Sequence, residues 1–143
     1  MTRSAELVCL VDYWQTLTPA SVNELPTLYA ADACFRDPFN DVTGIEKIQH
    51  IFGDMFVRLD APKFEIVETI EEPHGALLIW DFTFRIKTLG PAQNRRIHGT
   101  SHIRFARSGL VQYHRDYWDA AGELYEQFPL VGSLMRFLKK RAG

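Results

Sequence analysis

Between Ala76 and Thr88 the chain alternates its side chains so regularly that few secondary structures can accommodate it. Trp80, Phe82, Phe84 and Ile86 fall on one face of an extended strand, and Ile79, Asp81, Thr83 and Arg85 fall on the other. An aromatic ring buries about 150–250 Å² when it leaves water. A face that carries three rings must therefore be covered, and a strand of this kind calls for helices packed over one side of a sheet.

The rest of the sequence supplies both. Downstream of Pro62 the period switches to two as far as Asp119, loosely at first, with strands expected over Phe64–Glu72, Ala76–Thr88, Arg95–Arg107 and Leu110–Asp119. Pro73-His74-Gly75, Leu89-Gly90-Pro91 and Ser108-Gly109 punctuate them, which suggests an antiparallel meander. Upstream, Leu7, Leu10, Val11, Trp14 and Leu17 recur at helical spacing, with Ser4 placed to cap the first turn. Ser21 and Glu24 suggest a capping box for a short second helix reaching about Ala31. Asp32 to Asp41 reads as a short extended piece in which Pro38 forces Asp37 into β or polyproline geometry. After Gly44, the stripe Ile45, Ile48, Ile51, Phe52, Met55, Phe56 and Leu59 predicts a strongly amphipathic helix closed by Pro62. The tail predicts a helix over Asp119–Phe128 and, beyond Pro129, an amphipathic helix over Leu130–Arg141 that ends in Lys139-Lys140-Arg141. That last helix is expected to pack on its own domain or on a second subunit, with contact to a membrane surface the less favoured use. These elements make one α+β domain over residues 1–143.

Composition limits the partners. Sixteen Lys and Arg against eighteen Asp and Glu give a net charge of -2, so no basic field exists to hold nucleic acid. An aromatic content of 13% suits a core or pocket built from large flat side chains. Cys9 and Cys34 lie in apolar surroundings without ligand spacing and read as reduced packing residues. No segment has the composition of a signal peptide or the length of a membrane span, so the expectation is a cytoplasmic protein.

The residues most suggestive of chemistry sit on the last strand. Gln112, His114, Asp116 and Trp118 share one face, whereas Val111, Tyr113, Arg115 and Tyr117 share the other. A His and an Asp two apart on one face can act on one ligand. Two readings stand for each carboxylate. Asp37 either caps a turn with its own side chain or reaches into a site, and Asp116 either pairs with Arg104 or Arg115 or acts as an acid or base.

The order of elements, together with Asp12-Tyr13-Trp14, Tyr29-Ala30-Ala31-Asp32-Ala33, Phe35-Arg36-Asp37-Pro38, Gly44-Ile45-Glu46-Lys47-Ile48 and His102-Ile103-Arg104-Phe105, resembles the nuclear transport factor 2-like superfamily and, within it, the SnoaL-like and ketosteroid-isomerase-like branch. The resemblance spans about residues 5–118, with 119–143 as a C-terminal helical extension. It implies a cone: a curved, mainly antiparallel sheet closed by N-terminal helices around an apolar pocket. By the same resemblance Asp37 matches the base of ketosteroid isomerase, a worked example of acid–base tuning, and Tyr13 its phenolic donor. Ser101 stands where that enzyme has a protonated Asp, which argues against its full mechanism. Asp116 looks like the general acid/base of the SnoaL-like polyketide cyclases. The expected catalytic set is Asp37, Asp116, His114 and Tyr13, and the expected pocket lining is Trp80, Phe82, Phe84, Ser101, Trp118, Phe52, Met55 and Phe56. The expected function is cofactor-independent and metal-independent proton transfer on a small hydrophobic, oxygen-bearing molecule, of isomerase, cyclase, dehydratase or hydrolase type. The alternative is a non-catalytic ligand-binding or assembly module. A homodimer through the outer sheet face, around Tyr113, Arg115, Tyr117, Ile79 and Arg85, is also expected.

Overall fold

The computed structural model describes residues 4–86, 94–123, 138 and 140–142. In chain order these form α1 (Ala5–Gln15), a 3-10 helix (Ser21–Thr27), β1 (Tyr29–Arg36), β2 (Asp41–Thr43), α2 (Ile45–Arg58), β3 (Leu59–Glu72), β4 (Gly75–Ile86), β5 (Asn94–Phe105), β6 (Val111–Tyr117) and α3 (Ala120–Glu123). The strands make one six-stranded sheet in the order β2-β1-β6-β5-β4-β3. Within it β1 runs parallel to β6 and the other neighbours are antiparallel. Register shifts at Asp60/Lys63, Ile66/Glu68 and Arg104/Phe105 mark irregularities of the kind that bend a strand. The class is α+β, as the sequence predicts.

The covered face of the sheet follows from the alternation in β4. Leu78, Trp80, Phe82 and Phe84 are buried, and they meet Leu7, Leu10, Val11 and Trp14 from α1 with Ile48 and Phe52 from α2. The Ser4 hydroxyl accepts the Leu7 amide proton at 3.2 Å and starts α1 as expected. Gly109 closes the β5–β6 turn at φ +86, a backbone region that favours glycine.

Several sequence expectations need correction. The second helix is a 3-10 turn ending at Thr27, and the next strand begins at Tyr29 rather than after Ala31. Ser21 makes no capping box with Glu24; it exchanges hydrogen bonds with Thr18 instead. Pro62 does not separate α2 from the sheet, because α2 gives way directly to β3 at Leu59 and Pro62 sits at the first register shift, beside Ala61 at φ +48. Cys9 is exposed rather than packed, while the Cys34 thiol lies 3.6 Å from the Thr43 hydroxyl. Helix formation over Asp119–Phe128 is seen for Ala120–Glu123, with Asp119 just ahead of it; residues 124–128 and most of Leu130–Arg141 lie outside the described residues.

On the outer face one carboxylate is almost closed off from solvent. Asp81 is 5% exposed, accepts a hydrogen bond from Arg96 and lies 2.8 Å from Nδ1 of His98. Hydrogen bonds from Arg96 and then His98 hold its carboxyl below the usual aspartate range. A depressed folded-state value stabilises the protein above about pH 4, where the unfolded chain is already ionised, and that contribution is lost as the pH falls through the folded value. Asp81→Asn is therefore expected to lower the melting temperature at pH 7 and to converge with the parent protein in acid. A deficit that stays constant from pH 7 to pH 3 would contradict this.

Candidate functional site

The inner face of β6 brings His114 and Asp116 together. Pairing with β5 sets Ser101 directly opposite Asp116, and pairing with β1 sets Phe35 beside His114. His114 Nε2 lies 2.7 Å from Asp116 Oδ1, and the Ser101 hydroxyl donates to the same oxygen at 2.5 Å. Trp80 Nε1 donates to Ser101 Oγ at 2.8 Å. It can do so because its indole lies over Gly99, the residue it faces across the ladder; a Cβ at Gly99 would fall 2.4 Å from Trp80 Cη2. On the other side of the imidazole, Nδ1 lies 2.6 Å from the Tyr29 hydroxyl, which accepts from Trp14 Nε1 at 3.1 Å. Six side chains from α1, β1, β4, β5 and β6 thus form one continuous chain of hydrogen bonds, buried except at Asp116.

Aromatic walls keep this chain dry. The rings of Trp14 and Phe35 stand edge-on to His114, with centroids 5.7 and 5.0 Å away. His114 and Ser101 are each 4% exposed. Burial pushes the Tyr29 phenol well above its ordinary value; the Trp14 hydrogen bond opposes that rise and the Asp116 charge adds to it. Tyr29 is therefore a neutral phenol at physiological pH.

Asp116 is the member of the chain that meets the outside. It lines a small interior void with Trp14, Phe52, Phe64, Ile66, Leu78, Trp80, Ser101 and His114, and also an open cleft of about 530 Å³ bordered by Arg36, Asp37, Pro38, Arg115, Tyr117, Trp118 and Asp119. Its hydrogen bonds fall on Oδ1, and Oδ2 has no hydrogen-bond partner among the described residues. The interior void holds only about 10 Å³, near the room one water needs. A small-molecule pocket is typically about 300–1,000 Å³, so the expected open apolar pocket is a packed interior in this structure. Phe64 stacks on Phe82 at 4.4 Å and Phe82 on Phe84 at 5.1 Å, and these rings fill the space.

The other expected site residues are distributed as follows. Trp80, Phe52, Ser101, His114 and Asp116 line the interior void; Phe82 and Phe84 are core, and Met55 and Phe56 are partly buried packing against it. Trp118 follows β6, lines the cleft and meets Phe39 edge-on at 5.6 Å. Asp37 borders the same cleft as Asp116, yet its Oδ1 accepts the Phe39 and Asn40 amides at 2.8 and 2.7 Å and the Asn40 side chain at 3.1 Å, so of the two readings the turn cap is the one seen. Tyr13 is buried and donates to the Ser21 carbonyl at 2.7 Å, away from the His114 chain. Asp116 pairs with neither Arg104 nor Arg115; Arg115 lies 4.5 Å over the Tyr117 ring. Tyr29 and Trp14 were not expected to take part. The signal for Tyr29 was the period-two pattern Tyr29, Ala33, Phe35 leading into Asp37-Pro38. Among the described residues no cluster of His, Cys, Asp and Glu is placed to hold a metal ion, and no helix is long and apolar enough to cross a membrane.

An open sheet curved around a packed interior, with ionisable groups on its inner wall, defines a class of small cone-shaped α+β proteins. Residues 10–114 match the SnoaL-like domain, and the chain belongs to that family. The match stops at His114, so Asp116 lies just beyond it. No curated protein matches the chain in sequence. Among solved structures, a Catenulispora acidiphila protein with a ketosteroid isomerase-like fold, in complex with trimethylamine, is similar at 19% identity and a TM-score of 0.71 over 86% of this chain and 92% of that one. A candidate SnoaL-like polyketide cyclase from Shewanella putrefaciens has the same identity and TM-score over 86% and 98%. A Mycobacterium tuberculosis protein in complex with estradiol-17β-hemisuccinate is 17% identical at a TM-score of 0.66 over 82% and 95%. At these identities the likeness is one of fold.

Proposed function

We propose that the protein is an enzyme that moves a proton on a small apolar molecule bearing an oxygen function, with Asp116 as general base and His114 behind it. The observation that carries this reading is the position of Asp116, which stands in the middle of a hydrogen-bond chain, between His114 and Ser101, and also borders an open cleft. A base needs a basic atom within reach of the substrate and a surrounding that can tolerate its change of charge. Oδ2 offers the first, and His114 with Ser101 offers the second through Oδ1. Trp118, Phe39 and the neighbouring Arg36 and Arg115 give the cleft a flat apolar side and a cationic side, which suit a ring system that carries a carbonyl. Asp37, held in its turn, shapes the rim, and Tyr13 ties α1 to the start of the 3-10 helix rather than steadying a developing oxygen charge.

The experiment is incubation of the protein with a panel of cyclic and aromatic ketones in D₂O, following the α-proton signals by NMR. Exchange faster than buffer alone for at least one ketone is the expected result. A panel that quenches tryptophan emission but does not exchange would favour the second reading, a binding module without turnover. That reading draws its support from Ser101, a neutral hydroxyl at the position where the resemblance to ketosteroid isomerase calls for a second acid. Within either reading, Ile70, Leu77 and Tyr117 are exposed on the outer sheet face and support pairing of two copies there.

A further inference from the structure

The hydrogen-bond chain around His114 begins and ends on an indole, and an indole N–H can only donate. From one end, Trp14 donates to the Tyr29 oxygen. The Tyr29 residue is 1% exposed, and among the described residues the remaining polar atom within its reach is His114 Nδ1 at 2.6 Å. The phenolic proton therefore points at Nδ1, which must present its lone pair. From the other end, Trp80 donates to Ser101, and Ser101 passes its own proton to Asp116 Oδ1. With Nδ1 an acceptor, the single proton of a neutral imidazole sits on Nε2 and is given to the same Oδ1 at 2.7 Å. Every bond in the chain then runs toward Asp116.

We propose that Tyr29 is a positioning residue that locks His114 as the neutral tautomer with its proton on Nε2, so that both arms of the chain donate into Asp116. The alternative states each strand a buried group. An imidazolium, or the Nδ1–H tautomer, turns Nδ1 into a donor facing the phenol, and the Tyr29 hydroxyl proton loses the one acceptor it has among the described residues. The ionisable groups that face the imidazole are Tyr29 from β1 and Asp116 from its own strand. α1 presents Trp14, β1 also presents Phe35, and β5 presents Ile103, all uncharged. This assignment bears on the proposed acid–base role through Asp116, but its test does not depend on turnover, so the two fail separately.

The test is a long-range ¹H–¹⁵N correlation spectrum of the histidine side chains in the ¹⁵N-labelled full chain, recorded as a function of pH. In the parent protein at neutral pH, His114 should show a protonated Nε2 and a bare Nδ1. In Tyr29→Phe the lock is gone: Nδ1 loses the phenolic donor, and its ¹⁵N resonance should move downfield, toward that of an imidazole lone pair that accepts no hydrogen bond. Tyr13→Phe removes a buried phenol that bonds to the Ser21 carbonyl instead, and it should leave the His114 signals as they were. A doubly protonated or Nδ1-protonated His114 in the parent protein at neutral pH overturns the proposal, as does a Tyr29→Phe spectrum that superimposes on the parent. If Tyr29→Phe does not fold, the parent spectrum alone decides the tautomer.

Discussion

Replacing Asp116 with Asn is expected to slow proton exchange into a bound ketone by about 10²–10⁴-fold, the usual contribution of a positioned general base. Ligand affinity should change little. The substitution is nearly isosteric, and the Asn carbonyl oxygen can still accept from both His114 Nε2 and Ser101 Oγ, the two donors that hold Oδ1 in place. The packed surroundings therefore have no reason to shift, and the thermal midpoint should stay close to that of the parent. What disappears is the second carboxylate oxygen, the one without a hydrogen-bond partner among the described residues. Loss of exchange with affinity intact would separate a catalytic carboxylate from a merely structural one. Loss of affinity and stability together would instead mark Asp116 as part of the scaffold.

The largest effect on stability is expected at Trp14. Its ring is 4% exposed and lies 4.7 Å from Phe52, 5.3 Å from Tyr13, 5.7 Å from Phe64 and His114 and 6.2 Å from Tyr29, measured between centroids. It therefore joins α1 to α2, to β3, to the start of β1 at Tyr29 and to the middle of β6 at His114. Trp14→Ala opens a cavity among all of these and also removes the indole donor to Tyr29. Such a change costs about 3–5 kcal/mol in a core of this kind, which for a chain of this length lowers the melting temperature by roughly 10–20 °C. Trp118 supplies the internal comparison, since it is only partly buried and its ring contact is the exposed Phe39. A thermal midpoint for Trp14→Ala no lower than that for Trp118→Ala would contradict the central place given to Trp14.

The parts of this fold that the sequence made legible are those governed by local periodicity. The alternation of Trp80, Phe82 and Phe84 against Ile79, Thr83 and Arg85 placed the first three inside, and the alternation of β6 placed His114 inward. Asp81 shows the limit of that rule: it lies on the outer face yet is closed off by Arg96 and His98 from the neighbouring strand. Tyr29 was hidden for a different reason. Leu25, Leu28 and Tyr29 continue a helical spacing from Ser21, and only the early stop of the 3-10 turn, with Pro26 inside it, frees Tyr29 to open a strand. Its partner in the sheet, β6, lies more than 80 residues away in sequence, which no window-based reading can reach. The pocket volume was illegible in the same sense. Aromatic content indicates that rings meet, but whether they enclose a cavity or stack through it depends on inter-strand distances, and here Phe64, Phe82 and Phe84 stack.

The charge-bearing residues divide along the same line. Asp37 could be placed in extended backbone from Pro38 alone, whereas its capture by the Phe39 and Asn40 amides depends on how the turn closes. Ser101 and Asp116 were each recognisable as inward-facing, and the ladder register that sets them opposite one another is what turns two polar side chains into a pair. The same register places Gly99 under Trp80, so a residue without a side chain decides whether the indole can reach Ser101.

The most direct test of a base at Asp116 compares the parent protein and Asp116→Asn in D₂O, with the same ketone at matched occupancy and α-deuterium incorporation followed by NMR. The parent should incorporate deuterium well above the buffer rate, and the variant should fall back toward that rate while still binding. Equal incorporation by the two proteins would show that Asp116 does not move the proton.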